Sequence, residues 1–389
     1  MKTFLKLLGI YLLHFPLSSS AQVKYVQQKI NDHVYVFTEL WNGSNNANVG
    51  VIIGEKGVLL VNTLMTKSAP SLEKEIKKIT NKPILYIINS DADPYNHHAN
   101  AYFLERGATV FSQENLQYST ATTQILFKKQ LELDLGTEVI IAYKTPSHQL
   151  NHVDVFLKNS NVLFTSDGFK GHWLTYSGPN GTKGVLKGIN KAIALSNDKT
   201  VVVTGNTSKK KNRFLLAKKD LIRIKNKHIR LHERVEYLYK VGQTAEEITN
   251  DKKVHEILQD LDAYPRFKKY IISKVKSMIE SDFIKSIPLS LKELKNYVGM
   301  YQINTDRTIE VVLEKGRLFA REKGAFIFEL TALSKTKFDF KSNTRDDYLT
   351  FQFAKNGNVL SLQTFLQAGA WWSEIIATGT YFKIINKKQ

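Results

Sequence analysis

Residues 83–100 read Pro-Ile-Leu-Tyr-Ile-Ile-Asn-Ser-Asp-Ala-Asp-Pro-Tyr-Asn-His-His-Ala-Asn, and this stretch decides the fold. The run from Ile84 to Ile88 is short, apolar and β-branched, which is typical of a strand covered on both faces. Carboxylates, amides and imidazoles follow it directly, where the carboxyl end of such a strand emerges. Functional sites of layered α/β folds usually lie at this end of the strands. The stretch therefore predicts a polar site at the end of a buried strand.

The polar part of this stretch resembles the signature of the metallo-β-lactamase superfamily, Thr-His-x-His-x-Asp-His followed by Gly-Gly-Asn. Asn100 fits the terminal Asn, and residues 101–107 fit the helix that comes next. The metal-ligand slots of the signature are filled here by other side chains: Asp91, Asp93, Tyr95 and Asn96. The spacing of the motif is therefore kept, while most of its metal-binding residues are replaced by other residues.

Three later segments resemble further parts of the same motif. The run Thr145 to His148 resembles the Gly-His-Thr segment, so His148 matches the third metal-binding histidine. Residues 162–167 resemble a strand that ends in Gly-Asp, with a serine in place of the glycine, and Asp167 matches the carboxylate that bridges two metals. Residues 201–206 resemble the last strand, whose final histidine is replaced by Asn206.

Sorted by metal position, these residues indicate a degenerate centre. The first position keeps three side chains that can coordinate an ion: Asp91, Asp93 and His148. The second position keeps only the bridging Asp167, because its other slots hold weak ligands: Tyr95, Asn96 and Asn206. A binuclear zinc centre is therefore not expected.

The resemblance leaves one candidate metal site made of Asp91, Asp93, His148 and Asp167, in which His148 and Asp167 are also the candidate catalytic residues. Three carboxylates and one imidazole suit Mn²⁺, Mg²⁺ or Ca²⁺ at least as well as Zn²⁺. An aspartate oxygen reaches less far than a histidine ring nitrogen, which displaces the ligands from the usual ion position. The candidates that would compensate are His97 and His98. The sequence leaves open whether one divalent ion binds or none.

The amino terminus is typical of an export signal. Lys2 and Lys6 precede the apolar run Leu7 to Phe15, and Ser19-Ser20-Ala21 resembles a cleavage site, so residues 1–21 are predicted to be a signal peptide. The apolar run is too short to span a bilayer, and no cysteine is present to carry a lipid. We expect an exported protein, periplasmic or secreted, that is not a lipoprotein.

Composition and net charge exclude some classes of function and favour others. The chain has 389 residues, 42% of them apolar, which is enough for more than one core. The absence of cysteine excludes disulfides and cysteine-based catalysis. The net charge of +19 favours attraction to polyanions, with the densest run at Lys209 to Lys211, but nothing resembles a base-reading module. We expect a small-molecule or anionic polymer ligand, no specific nucleic acid and no transmembrane segment; the oligomeric state is not indicated.

Three structural units follow the signal segment. Residues 22–207 alternate short apolar strands with amphipathic helices, which predicts an α/β domain, and the resemblance implies a four-layer αββα sandwich. Residues 208–285 read as long charged helices, a helical extension packed on the sandwich. The turn Gly242 to Ile248, with Thr244 as N-cap, resembles the carboxyl-terminal helices of cyclase-like or quinoprotein-relay hydrolases of the superfamily.

Residues 287–386 form the third predicted unit. Leu294 to Tyr301 resembles the Leu-x-x-Tyr-x-Gly-x-Tyr start of a lipocalin-like β domain appended to exported β-lactamase-related proteins. Ser290 is a candidate N-cap for a helix over residues 291–297. Regularly spaced strands with turns such as Lys315-Gly316 predict an antiparallel, barrel-like sheet of roughly six to eight strands.

The combined resemblances imply an exported metallo-β-lactamase-fold protein with a degenerate metal centre. At most it would be a mononuclear metal-dependent hydrolase of an ester, amide or phosphoester, with Asp167 orienting a metal-activated water. The alternative is a non-catalytic binding protein, a pseudoenzyme, for an anionic glycan or peptide. The fold does not name the substrate.

Overall fold

The computed structural model describes residues 23–41, 44–91, 93–114, 125–145, 147, 151–171, 174–175, 177, 180–208, 213–261, 268–283, 286–305, 307–322, 327–340, 348–365 and 378–384. Within these residues the chain forms two face-to-face sheets with helices outside them, a group of helices, and a closed antiparallel barrel. The predicted fold class is confirmed.

The first sheet contains the buried strand on which the sequence argument began. In the described residues it has seven strands, in chain order: β1 (Lys24–Lys29), β2 (Val34–Trp41), β3 (Ser44–Ile53), β4 (Val58–Val61), β5 (Ile84–Ile88), β6 (Thr109–Gln113) and β7 (Ile125–Phe127). Strands β1 to β4 pair antiparallel, whereas β4 to β7 run parallel. The bounds of β5 agree with the predicted strand. Its carboxyl end therefore lies beside those of β4 and β6.

The second sheet packs against the first. Its described strands follow the spatial order β13-β12-β11-β10-β9-β8: β8 (Gln130–Asp134), β9 (Val139–Lys144), β10 (Val153–Leu157), β11 (Val162–Ser166), β12 (Val201–Ser208) and β13 (Arg213–Leu216). Val36 and Leu59 of the first sheet share one buried core with Val155 and Phe164 of the second. This shared core is the centre of the sandwich.

Helices cover the outer face of each sheet. The first sheet carries α1 (Ala69–Lys77), α2 (Pro94–His97) and α3 (Asn100–Leu104), and the second carries α4 (Gly181–Leu195) and α5 (Lys218–Lys240). Leu72 and Phe103 pack in the core outside the first sheet. Ile189 and Leu221 pack in the core outside the second. The layer order is therefore helix, sheet, sheet, helix, as predicted.

The helical extension follows β13. It contains α5 and three further helices, α6 (Ala245–Thr249), α7 (Lys252–Leu258) and α8 (Lys268–Asp282), which share one apolar core. The Thr244 hydroxyl accepts a hydrogen bond from the Glu247 backbone N–H, and the Glu247 carboxylate accepts one from the Thr244 N–H, so the predicted capping is confirmed. Among the helices of the described residues, none has the length and apolarity needed to cross a membrane.

The last unit is a closed barrel preceded by a short helix. Helix α9 (Leu291–Tyr297) begins after Ser290, whose hydroxyl accepts from the Glu293 N–H as predicted. Eight strands follow in cyclic order: β14 (Gly299–Asn304), β15 (Arg307–Glu314), β16 (Arg317–Glu322), β17 (Ile327–Ala332), β18 (Lys337–Phe340), β19 (Tyr348–Phe353), β20 (Val359–Phe365) and β21 (Gly379–Lys383). Lys315 and Gly316 both have positive φ, as a two-residue hairpin turn requires.

Side chains fill the barrel interior. Tyr301, Phe338, Phe351 and Tyr381 are at most 2% exposed and pack in one cluster with aliphatic neighbours. The hydroxyl of Tyr301 donates to the backbone oxygen of Tyr297, so the buried phenol is satisfied. The described part of the barrel is therefore a packed core.

Candidate functional site

The candidate site lies where the carboxyl end of β5 meets that of β11. The Ser90 carbonyl accepts a hydrogen bond of 2.7 Å from the Val153 backbone N–H. The hydroxyls of Ser90 and Ser166 are 2.6 Å apart and join the two sheets directly. These contacts fix the two strand ends against each other, so that the residues after them share one small volume.

Two residues at the strand ends adopt left-handed backbone conformations. Asn62, after β4, has φ of 71°, and Ser166, at the end of β11, has φ of 41°. This region favours glycine and, less strongly, asparagine, which agrees with the glycine that the superfamily motif has at the position of Ser166. Asn62 accepts from the Ser90 N–H and donates to the Ser166 hydroxyl. Neutral hydrogen bonds thus hold the turns that direct Asp91 and Asp167 inward.

The structure brings Asp91, Asp93 and Asp167 together. Their exposed fractions are 0%, 3% and 0%. One carboxylate oxygen from each lies within 4.8 Å of the others. Three like charges at this distance in a buried site repel one another strongly unless donors or cations compensate them.

Hydrogen-bond donors occupy two positions that match the second metal. The Tyr95 hydroxyl donates to Asp93 Oδ2 at 2.7 Å, and Asn96 Nδ2 donates to Asp91 Oδ1 at 2.6 Å. Burial and the negative charges of Asp167, Asp93 and Asp91 raise the pKa of Tyr95 well above its usual value, so the phenol keeps its proton. Tyr95 and Asn96 therefore act as donors to the carboxylates.

A buried imidazole compensates part of the negative charge. His152 Nδ1 lies 3.7 Å from Asp91 Oδ2, and His152 Nε2 lies 3.1 Å from Asp154 Oδ1. Burial alone would disfavour the imidazolium, but hydrogen bonds and attraction from Asp154 and Asp91 outweigh it and raise the pKa of His152 to about 9. The ring is therefore positively charged at neutral pH.

Two lysines reach the same site from different elements. Lys170 Nζ lies 3.2 Å from Oδ1 of the fully buried Asp167. Lys274, on α8, is 2% exposed, and its Nζ lies 4.6 Å from the ring centroid of Tyr270. Burial and the charge of Lys170 lower the pKa of Lys274, while attraction to Asp93 and Asp167 opposes the change. The helical extension thus supplies an amine to the site of the sandwich.

The remaining sequence candidates lie outside this group of carboxylates or beyond the described residues. The rings of His97 and His98 contact each other edge to face, with centroids 4.7 Å apart, at the end of α2. In the described residues the group of ligating atoms consists of the three aspartates, without either histidine. His148 lies outside the described residues, as do Lys209 to Lys211, and only the backbone of Asn206, within β12, is described.

The donor set determines which metal the described residues fit. One ion with oxygen distances of roughly 2.3–2.6 Å can reach three carboxylate oxygens that lie within 4.8 Å of one another. The described residues therefore fit one hard divalent ion, which would have to compete with Lys170 for Asp167.

His152, Lys170 and Lys274 are not among the site residues predicted from sequence. A signal for Lys274 was available, because it falls on the apolar face of α8 together with Ile271, Val275 and Met278. A lysine at such a position must find a buried partner. The signal for Lys170 is weaker and consists only of its position three residues after Asp167.

No protein-family model and no curated protein matches the chain. Similar solved structures include a metallo-beta-lactamase from Pontibacter korlensis, 16% identical over 52% of this chain and 98% of that one, with a TM-score of 0.45. Metallo-beta-lactamase IND-7 is 20% identical over 53% of this chain and 100% of its own, with a TM-score of 0.44. DIM-1 metallo-beta-lactamase is 15% identical over 53% of this chain and 97% of its own, also with a TM-score of 0.44. The arrangement of two sheets between helical layers is a property of this structure itself and does not depend on these similarities.

Proposed function

We propose that this chain is an exported metallo-β-lactamase-fold protein whose metal centre has degenerated into a self-compensated polar core. The observation that carries the proposal is that each carboxylate of the site already has a partner within the protein. Asp93 accepts from Tyr95, Asp91 accepts from Asn96, and Asp167 pairs with Lys170. These contacts engage one oxygen of each carboxylate: Asp93 Oδ2, Asp91 Oδ1 and Asp167 Oδ1.

The charges around the site support the same proposal. His152 is protonated between Asp91 and Asp154, and the Lys170 ammonium lies beside Asp167. A divalent ion placed among the three carboxylates would approach these cations at short range in a medium of low dielectric constant. The repulsion from these cations would lower the affinity for metal relative to a site without them.

A mononuclear hydrolase is the second candidate, and the proximity of the three carboxylate oxygens favours it. Asp91, Asp93 and Asp167 would hold one hard ion such as Mn²⁺, Mg²⁺ or Ca²⁺. Such an ion supplies Lewis-acid polarisation of a water or carbonyl when it is bound. The protein's own contribution would be to fix the carboxylates through Tyr95 and Asn96 and to place Lys170 beside a developing negative charge.

The proposal also includes the finer features implied by the sequence resemblance. Residues 1–21 would direct export, and the helical extension and barrel would correspond to the cyclase-like helices and the lipocalin-like domain. With its interior filled by Tyr301, Phe351 and their neighbours, the barrel would act as a rigid appendage and not as a calyx for a ligand.

Elemental analysis of the protein purified without added metal tests the proposal. We expect less than one tightly bound transition-metal ion per chain and no acceleration of ester, lactam or phosphodiester hydrolysis on addition of Zn²⁺. One tightly bound ion with hydrolysis that a chelator abolishes would instead establish the mononuclear hydrolase. Two zinc ions per chain would refute both candidates.

A further inference from the structure

A basic groove lies on the surface between α5 and α7. It has a volume of about 540 Å³ and shares no lining residue with the carboxylate site. One wall is a row of cations on α5: Lys219, Arg223, Lys227 and Arg230. The opposite wall includes Glu256 of α7, and Gln259 and Asp260, which follow it. The groove is therefore asymmetric in charge, with its positive side on a single helix.

The two middle cations of the row share the carboxylate of Asp260, and Arg223 Nη2 also lies 3.7 Å from Asp220 Oδ1. Arg223 Nη1 donates to Asp260 Oδ2 at 2.9 Å, and Lys227 pairs with the other oxygen of Asp260. Within the described part of the chain no carboxylate lies at ion-pair distance from Lys219 or Arg230, and both of these residues are exposed. The two ends of the row are thus open to an external anion, while its centre is preorganised.

The spacing of the row suits an extended ligand. Cations three or four residues apart on a helix are about 4.5 to 6 Å apart along its axis, and Lys219 to Arg230 spans roughly 16 Å. A single phosphate would contact one end only. A linear polymer with repeated anionic groups can contact both ends at once, which raises its affinity without any stronger individual contact.

The other lining residues favour a carbohydrate. The amides of Asn226 and Gln259 can donate to and accept from hydroxyl groups. Among the described residues that line the groove, none carries an aromatic ring on which a nucleobase could stack. Ile222 is 44% exposed and gives the floor a small apolar surface.

We propose that this groove binds a linear polysaccharide that carries sulfate or phosphate groups. Lys219 and Arg230 contact anionic groups at the two ends, and the pair of cations held by Asp260 contacts the middle of the polymer. Binding does not involve the carboxylates at the ends of β5 and β11, so it is independent of the metal content of the protein.

Titration calorimetry with a heparin oligosaccharide longer than the row tests the proposal on the full chain. The double variant Lys219→Gln/Arg230→Gln should bind roughly tenfold more weakly, which is about 1.4 kcal/mol. The matched control Lys187→Gln/Lys292→Gln removes the same charge at two exposed positions on α4 and α9 and should bind within about twofold of the unmodified protein. Thermal denaturation of both variants verifies that they fold.

Three outcomes would overturn the proposal. Equal loss of affinity in the two double variants would mean that net charge alone attracts the polymer. Single-stranded oligothymidylate binding as tightly as heparin, with the same dependence on Lys219 and Arg230, would assign the groove to nucleic acid. Absence of heparin binding at physiological ionic strength would leave the groove without this function.

Discussion

The barrel and the carboxylate site are both closed to solvent, but different forces hold their interiors. The barrel interior consists of aromatic and aliphatic side chains such as Tyr301, Phe351 and Leu362. The site interior consists of three carboxylates, a charged imidazole and two lysines. Burial of apolar area is non-directional and tolerates a change of partner. A buried charge has no such tolerance, because it depends on one or two specific partners.

The difference lies in how each interior is assembled. Each basic side chain near the carboxylates must be delivered to a defined place by its own element. His152 comes from the segment before β10, Lys170 from the loop after β11 and Lys274 from α8. The site therefore couples distant parts of the chain, whereas the barrel core is assembled within one unit.

The largest expected effect is in the barrel. Phe351 is 2% exposed, and its ring centroid lies 4.8 Å from that of Tyr297 and 5.2 Å from that of Phe338. Phe351→Ala should lower the free energy of unfolding of the barrel by about 3–5 kcal/mol, through lost burial and a cavity. Urea denaturation, followed with a spectroscopic probe placed in the barrel, measures this loss of stability. Leu360→Ala, at a position 49% exposed, should cost less than about 1 kcal/mol; a similar small loss for Phe351→Ala would contradict a packed interior.

The second effect is a pH dependence confined to the site. Since the folded pKa of His152, about 9, lies above its unfolded value, its stabilisation is complete below about pH 6.5 and is lost as the pH rises through 9. The contribution is on the order of 3 kcal/mol. Unfolding free energies at intervals from pH 6 to 9.5 should fall with this magnitude in the unmodified protein and not in His152→Gln. His255→Gln should retain the fall; a flat profile in the unmodified protein would refute the charged imidazole.

The third expected effect concerns competition between the Lys170 ammonium and a metal ion for Asp167. Lys170→Met leaves buried Asp167 without its nearby ammonium and should cost roughly 2–3 kcal/mol at neutral pH. Mn²⁺ should then raise the melting temperature of this variant by several times the shift in the unmodified protein, because the competing cation is gone. The exposed Lys199→Met provides a control that should respond like the unmodified protein. Equal Mn²⁺ shifts in Lys170→Met and the unmodified protein would show that Lys170 does not compete with metal.

The smallest expected effects come from the loss of two helix N-caps. They show which region of the chain each unfolding transition belongs to. Thr244→Ala in the helical extension and Ser290→Ala before the barrel each remove an N-cap acceptor and should cost about 1 kcal/mol. Each should shift only the transition of its own region in a denaturation experiment with two probes. A shift of both transitions by either variant would mean that the barrel and the α/β part unfold as one unit.

The parts of the fold that rest on local patterns were predictable from sequence. The apolar run Ile84 to Ile88 forms β5 at the predicted bounds, and Ser290 caps α9 over the predicted helix. The closed barrel follows from evenly spaced strands with tight turns, of which Lys315-Gly316 is an example. In each case the determining interactions lie within a few residues along the chain.

The site was predictable only in part. Asp91, Asp93 and Asp167 come together because they follow strands whose carboxyl ends meet, and strand ends can be located from sequence. The compensating cations could not be placed in the same way. Whether the long side chain of Lys274 turns into the sandwich depends on how α8 packs, and that packing is set by its contacts with α4, α5 and α6 and not by its own sequence. The metal-ligand roles themselves stay a prediction.

The position of Lys274 also has a consequence for the order of synthesis. Asp167 and Lys274 are separated by 107 positions in the chain (274 minus 167), so the carboxylates leave the ribosome well before this lysine. At a rate of roughly 5–20 residues per second, the interval is about 5 to 20 s. During this time the nascent sandwich holds its acidic cluster without the Lys274 side chain that packs near it in the complete fold. A translational pause between the two residues would therefore lengthen the life of an intermediate whose acidic cluster lacks this neighbour.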